Sequence, residues 1–227
     1  MESKLILYLT RGSPACRSVL QLCRILDLNV ELKNVNFQAK EQKSETFSKL
    51  NPLKEVPVLV DGDFILSESR AILAYLVNSK KPNSPLYPFD PKRRAIIDQR
   101  LYYDATVLFL SHSSIVRSVI YDGAKDVTDQ QRINILSVLE NLNYFLSQSK
   151  YFASNEDITI ADISILSSVI TIYECGHDLE AFPYLSKWFH SLENLPGFQE
   201  NQEHTRDFAK FFKKKMGRAM FEKKQKL

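Results

Sequence analysis

The chain has 227 residues, of which 44% are hydrophobic and 25% charged. That length suits one large domain or two small ones, and the balance excludes a disordered chain, a collagen-like rod and a membrane bundle. The formal charge of +3 is unevenly placed: residues 210–227 carry eight lysines and arginines against Glu222 alone, so the rest is net negative and offers no basic stripe to a nucleic acid.

The first eighty residues alternate strand and helix patterns. Lys4-Leu5-Ile6-Leu7-Tyr8-Leu9 is the near-continuous apolar run of a strand covered on both faces. Ser13 as N-cap and Pro14 at the first helical position open a helix whose stripe is Cys16, Val19, Leu20, Cys23 and Leu26. A second strand follows through Val30, Leu32 and Asn34, and Val56–Leu66 reads as a hairpin turning at Asp61-Gly62. Ser69 is expected to cap a helix through Ala71, Ile72, Tyr75 and Leu76. The order is βαβ, an irregular segment, then ββα.

Residues 81–91 hold four of the nine prolines and read as a semi-rigid linker between a domain at 1–80 and one at 92–227. Beyond it the pattern is all helical. Ile97, Leu101, Ala105, Leu108, His112 and Ile115 share one face of a long helix. Thr128 and Gln131 form a capping box ahead of Ile133, Leu136, Leu139 and Leu142. Thr159 and Asp162 form another, with Ile158 and Ile163 as a hydrophobic staple. From Thr205 onward, Phe208, Phe211, Phe212, Met216 and Met220 alternate with lysines on a helix; the readings are closure over a pocket, contact with an acidic membrane surface and, the one expected, a solvated face with a frayed end.

Three cysteines at these spacings match neither a disulfide framework nor a zinc site, so no metal is expected. No stretch approaches about 18 apolar residues, and Met1-Glu2-Ser3-Lys4 leads straight into a strand rather than a secretory leader. The expectation is a cytoplasmic protein without stable membrane association.

Ser13 stands at the end of a buried strand and the start of a helix, where backbone N–H groups and the helix dipole favour an anion such as a thiolate. One hydrogen bond to a charged group is worth about 1.5–3 kcal/mol, enough for most of a two-unit fall in a thiol pKa. A Ser-Pro pair at such a turn is also a common N-cap. Val56-Pro57 hints at a cis bond or, equally, an edge strand. Glu68-Ser69-Arg70 offers a carboxylate for an ammonium and a helix start for a carboxylate.

Taken together, SPAC at residues 13–16, LNPLKEVPVL, the Asp-Gly hairpin, SESRAIL, PLYP, DQRLYYDATVLF and TIADIS resemble the cytosolic glutathione S-transferases, most closely the insect delta and epsilon classes. The resemblance spans residue 4 to about residue 200. It implies an α/β thioredoxin-like N-terminal domain followed by an all-α C-terminal domain, a homodimer, and glutathione as co-substrate. Ser13 then matches the catalytic serine, Pro57 the cis-proline, Val56 the residue whose backbone pairs with the cysteinyl moiety, and Glu68 and Ser69, with Arg70 beside them, the γ-glutamyl site. Gln42 and Lys54 stand where epsilon relatives carry histidines, with Glu55 adjacent. Phe109, His112, Val116 and Ile120 are expected to face a hydrophobic electrophile. The implied reaction is conjugation of the glutathione thiolate, with peroxide reduction as a further activity. Tyr8 is an alternative thiol partner. The competing functions are a Cys16-dependent thioltransferase and a non-catalytic carrier of hydrophobic ligands.

Overall fold

The computed structural model describes residues 4–217; Met220 and most of the basic tail lie outside them. Strand β1 (Leu5–Leu9) leads into α1 (Pro14–Ile25), β2 (Val30–Asn34), the short α2 (Glu45–Leu50), β3 (Val58–Asp61), β4 (Phe64–Ser67) and α3 (Ser69–Lys80). The sheet order is β2-β1-β3-β4, with β2 parallel and β3 antiparallel to β1. This is the thioredoxin-like arrangement that the resemblance implied. Leu7 and Leu59 are fully buried and oppose each other across β1 and β3 on one face of the sheet, while Ile6 and Tyr8 on the other face of β1 are only partly covered. β3 is therefore an interior strand, which removes the edge-strand alternative for Pro57.

The hairpin loop is Gly62-Asp63 rather than Asp61-Gly62, because Asp61 still pairs with Phe64. Gly62 takes φ 61° there, a conformation that costs glycine nothing. The α1 stripe is buried as expected, from Cys16 at 0% to Leu26 at 6% exposure. Ser69 does not cap α3. It is the first helical residue, and Glu68 occupies the N-cap position at φ 69° without a side-chain cap.

The helical half contains α4 (Pro91–Tyr103), a π-helical turn at Asp104–Leu108, α5 (Phe109–Ile120), α6 (Asp129–Gln148), α7 (Ile160–Glu174), α8 (Pro183–Ser191) and α9 (Phe198–Met216). Helix α4 opens on Pro91, the last proline of the linker, capped by Asp90. The linker itself is packed down. Leu86 and Tyr87 are buried, the Leu86 carbonyl accepts from Ile160 N at 2.9 Å, and Arg94 donates to the Pro88 and Tyr87 carbonyls.

Helix α7 is buried along residues 160–172, the signature of a core helix. Both capping boxes form. Asp162 accepts from Thr159 N, Phe152 N and Trp188 Nε1, tying the start of α7 to the preceding loop and to α8. The α6 stripe is a correction. Leu139 and Leu142 are buried, but Ile133 is 57% and Leu136 43% exposed, and Ile135, Val138 and Leu146 face the core instead. Both sets have helical spacing, and the packing of α5 and α8 decides which one turns inward. The expected solvated face of α9 is a second correction. Phe212 and Met216 are buried, and Phe208 packs on the core.

Candidate functional site

A cavity of about 890 Å³ lies between the β1–α1 turn and the helices α5, α7 and α9. Ser13, Val56, Phe109 and His112 line it together with Val116 and Ile120. The four residues expected to face an electrophile thus converge on the chamber that Ser13 opens into. A smaller cavity of about 80 Å³ is bounded by Pro57, Glu68, Ser69 and Arg70, and shares Glu55, Val56 and Phe109 with the larger one. The sequence-predicted residues divide between the two chambers, except Gln42 and Lys54, which line neither.

Ser13 is half-buried and caps α1, its Oγ accepting from Cys16 N at 3.4 Å. A hydroxyl has one donor and two acceptor sites, so the cap uses an acceptor and leaves the O–H as a donor, within reach of the Cys16 thiol as well as of the cavity. Gly12 beside it allows the Phe208 ring of α9 to close in, since a Cβ at this position would stand 3.2 Å from Phe208 Cδ2. Phe208 and Phe211 both line the chamber. Tyr8 does not: its ring stacks edge-on to Phe47 and its hydroxyl accepts from Lys33 Nζ at 3.4 Å.

The Val56-Pro57 bond is cis. The loop before it is organised by buried Asn51, which donates from Nδ2 to the Glu55 carbonyl at 2.9 Å and accepts from Leu53 N at 3.1 Å. Lys54 sits at φ 61° on that loop and is exposed, whereas Glu55 turns toward both cavities. Two non-glycine residues at positive φ, Lys54 and Glu68, flank the smaller chamber, the kind of local strain that ligand sites retain.

Arg70 is held by Asp104. Its Nη2 and Nε reach Oδ2 at 2.7 and 3.0 Å, and Asp104 also accepts from Ser164 Oγ at 2.6 Å and Ser168 Oγ at 3.3 Å. This network joins α3, the π-helical turn and α7 around the site. Arg17 is 1% exposed and bonds neutral oxygens, Asn201 Oδ1 and Thr171 Oγ1 at 2.6 Å each and Thr205 Oγ1. Burial pulls its guanidinium down to about 9, so it remains a cation at neutral pH. Sequence reading missed both arrangements, along with Phe37, Tyr121 and Thr171 in the cavity wall. Their partners are distant in sequence, and the only local signal was a Ser/Thr stripe along an otherwise apolar α7.

Cys16 is fully buried on α1, and burial pushes its thiol up to about 11. Cys23 and Cys175 are buried too and raised to about 12. Such thiols are inert as nucleophiles. The native protein treated with iodoacetamide at neutral pH is therefore expected to keep its unmodified mass; rapid labelling of Cys16 would restore the thioltransferase alternative. Among the described residues no cluster of three or more His, Cys, Asp or Glu side chains could hold a metal ion.

Comparison with known proteins agrees with the fold. The family model described as Glutathione S-transferase, N-terminal domain, matches residues 3–78, and that for the C-terminal domain matches residues 99–196. Glutathione S-transferase D7 of Drosophila melanogaster is 35% identical over 202 residues, covering 88% of this chain and 89% of that one. An epsilon-class glutathione S-transferase from the housefly, Musca domestica, superposes with a TM-score of 0.89 at 35% identity, covering 93% of this chain and 98% of that one. A glutathione transferase homologue from Drosophila mojavensis, solved with bound glutathione, gives 0.90 at 34% identity, covering 94% and 98%.

A thioredoxin-like sheet whose first helix opens on a chamber walled by a helical domain defines a two-domain, glutathione-dependent transferase. The chain belongs to the glutathione S-transferase family, and its solved neighbours include the insect delta and epsilon classes.

Proposed function

We propose that this transferase runs its chemistry through Ser13, joining the glutathione sulfur to hydrophobic electrophiles. The Ser13 O–H donates to the sulfur and favours the thiolate. The thiol proton leaves to solvent, the sulfur pair attacks the electrophilic carbon, and the leaving group departs with its bonding pair to give a thioether. Holding the two reactants side by side and stabilising the anion supply the catalysis. The observation that carries this reading is the Ser13 hydroxyl at the N-terminus of α1, its O–H not used by the helix cap, on the wall of a chamber lined by Phe109, Val116 and Ile120. The α1 dipole and the buried Arg17 cation add a positive potential around the same turn.

In this reading the Val56 backbone pairs with the cysteinyl unit, Glu68 and Ser69 take the γ-glutamyl end, and Lys54 and Gln42 the glycyl end. Arg70 acts as a positioning residue, since its guanidinium is already bound by Asp104. The protein works as a homodimer in the cytoplasm. Exposed Phe64 and Ile65 on β4 and Ile96 and Tyr102 on α4 give it apolar surface to bury, and three unpaired cysteines fit a reducing compartment. Among the described residues no helix is long and apolar enough to cross a membrane.

Glu55 supports the carrier as a second reading. Its carboxylate lines both cavities and opposes an anionic tripeptide. Calorimetric titration with glutathione, followed by turnover of a chromogenic aryl halide, separates the two. Saturable binding with conjugation is the expected result; apolar-ligand binding with neither glutathione binding nor turnover would establish the carrier.

A further inference from the structure

Among the described residues, Glu55 and Lys215 are the two charged side chains in the wall of the large chamber, and the elements that carry them hold them far apart. Glu55 belongs to the end shared with the smaller cavity, together with Val56 and Phe109. Beside Ser13, the Phe208 ring closes on Gly12. From Phe208 helix α9 runs on to Lys215, about 10 Å further at roughly 1.5 Å per residue. Along the opposite wall α5 runs from Phe109 to Ile120, about 16 Å on the same scale. The far ends of the two helices meet, since Lys125 Nζ, beyond α5, donates to the Lys215 carbonyl at 3.0 Å.

The Lys215 side chain is exposed and folds back over the wall, its Nζ 5.8 Å from the centroid of the Phe211 ring. A ligand in the chamber can therefore reach the ammonium. Among the described residues no carboxylate pairs with it, whereas Arg206 and Lys210 on the same helix are paired with Glu174 and Asp207. Between Ser13 and Lys215 the wall is largely apolar, with Val116, Ile120, Phe208 and Phe211. The buried Arg17 cation stands behind Thr171 in that wall, its Nη2 donating to Thr171 Oγ1 at 2.6 Å. Both cations favour an anion over a second cation at the far end.

We propose that Lys215 selects co-substrates by charge: the chamber takes apolar electrophiles that carry a carboxylate at the end remote from the reactive carbon, in preference to their neutral or cationic analogues. This rests on the reading of the chamber as the co-substrate site.

The test measures binding without catalysis, by displacement of the uncharged fluorophore N-phenyl-1-naphthylamine from the full chain at neutral pH. The competing probes share one alkyl chain and differ in charge: decanoate, decanamide and decylammonium. An exposed ion pair is worth up to about 1 kcal/mol, so wild-type protein is expected to bind decanoate about fivefold tighter than decanamide, with decylammonium weakest. Lys215→Met is expected to remove the preference and Lys215→Glu to reverse it, a change of sign that a merely structural role would not produce. Lys213→Met makes the same charge change on the opposite face of α9, beside a separate cavity, and is expected to leave the preference intact. All three positions of change are on the exposed side of the helix, and thermal melts confirm that each variant is folded. No preference in wild-type protein, a preference that survives Lys215→Glu, or one that Lys213→Met removes equally, overturns the proposal. Glutathione titration on the same samples tests the transferase chemistry separately: absent glutathione binding with the charge preference intact would sink that chemistry and leave Lys215 as the charge-selecting group of an acid-binding chamber.

Discussion

Replacing Ser13 by alanine is expected to lower kcat/KM with glutathione and an aryl halide by about ten- to a hundredfold at neutral pH. The figure follows from losing one hydrogen bond to a charged sulfur, about 1.5–3 kcal/mol, at roughly 1.4 kcal/mol per tenfold. The same side chain caps α1, so the variant also loses a helix cap worth about 1 kcal/mol. Ser13→Gly separates the two effects, because glycine at an N-cap costs only a few tenths of a kcal/mol. Both variants are expected to lose activity alike, while only the alanine form melts measurably lower. A Ser13→Gly protein with wild-type turnover would remove the hydroxyl from the chemistry.

The second large effect lies at Asp104, which is fully buried and accepts from Arg70, Ser164 and Ser168. Asp104→Ala strands a guanidinium whose side chain is only 16% exposed, and breaking a buried pair from one side costs about 3–5 kcal/mol. For a chain of this size each kcal/mol lowers Tm by about 2–4 °C, so a fall on the order of 10 °C is expected in a thermal melt. Removing both charges with Arg70→Met and Asp104→Leu should recover most of it, because burying the pair was itself expensive. An Asp104→Ala protein melting within about 2 °C of wild type would show that the network contributes little. Glutathione affinity should weaken alongside, since Arg70 and Ser69 share the wall of the smaller chamber.

What the sequence revealed was what local chemistry writes. Ser13 with Pro14 and the Thr128 and Thr159 boxes each act within about four residues, and each forms, as does the hairpin, one residue on from the expected Asp61-Gly62 turn. The wall residues Phe109, His112, Val116 and Ile120 follow helical spacing on a single element, and they converge on one cavity. What stayed hidden needed a distant partner. Arg17 meets Asn201 across 184 positions of chain, and Arg70 meets Asp104 across 34. On α6 two apolar stripes compete, and only the neighbouring helices select Ile135 and Val138 over Ile133 and Leu136. The lysines of α9 pointed to solvent, and they are exposed; Phe212 is buried and Phe208 packs on the core while Phe211 stays 36% exposed, on a helix that Arg17, Asn201 and Thr205 pin down.

The most direct measurement is the pKa of the glutathione thiol in the binary complex, followed by the ultraviolet absorbance of the thiolate across a pH series in wild-type and Ser13→Gly protein. The account predicts that the bound thiol titrates well below the roughly 8.5 of a free thiol, and that removing the hydroxyl returns it most of the way. A bound thiol that titrates like the free one, or a depressed value that Ser13→Gly leaves unchanged, would contradict it.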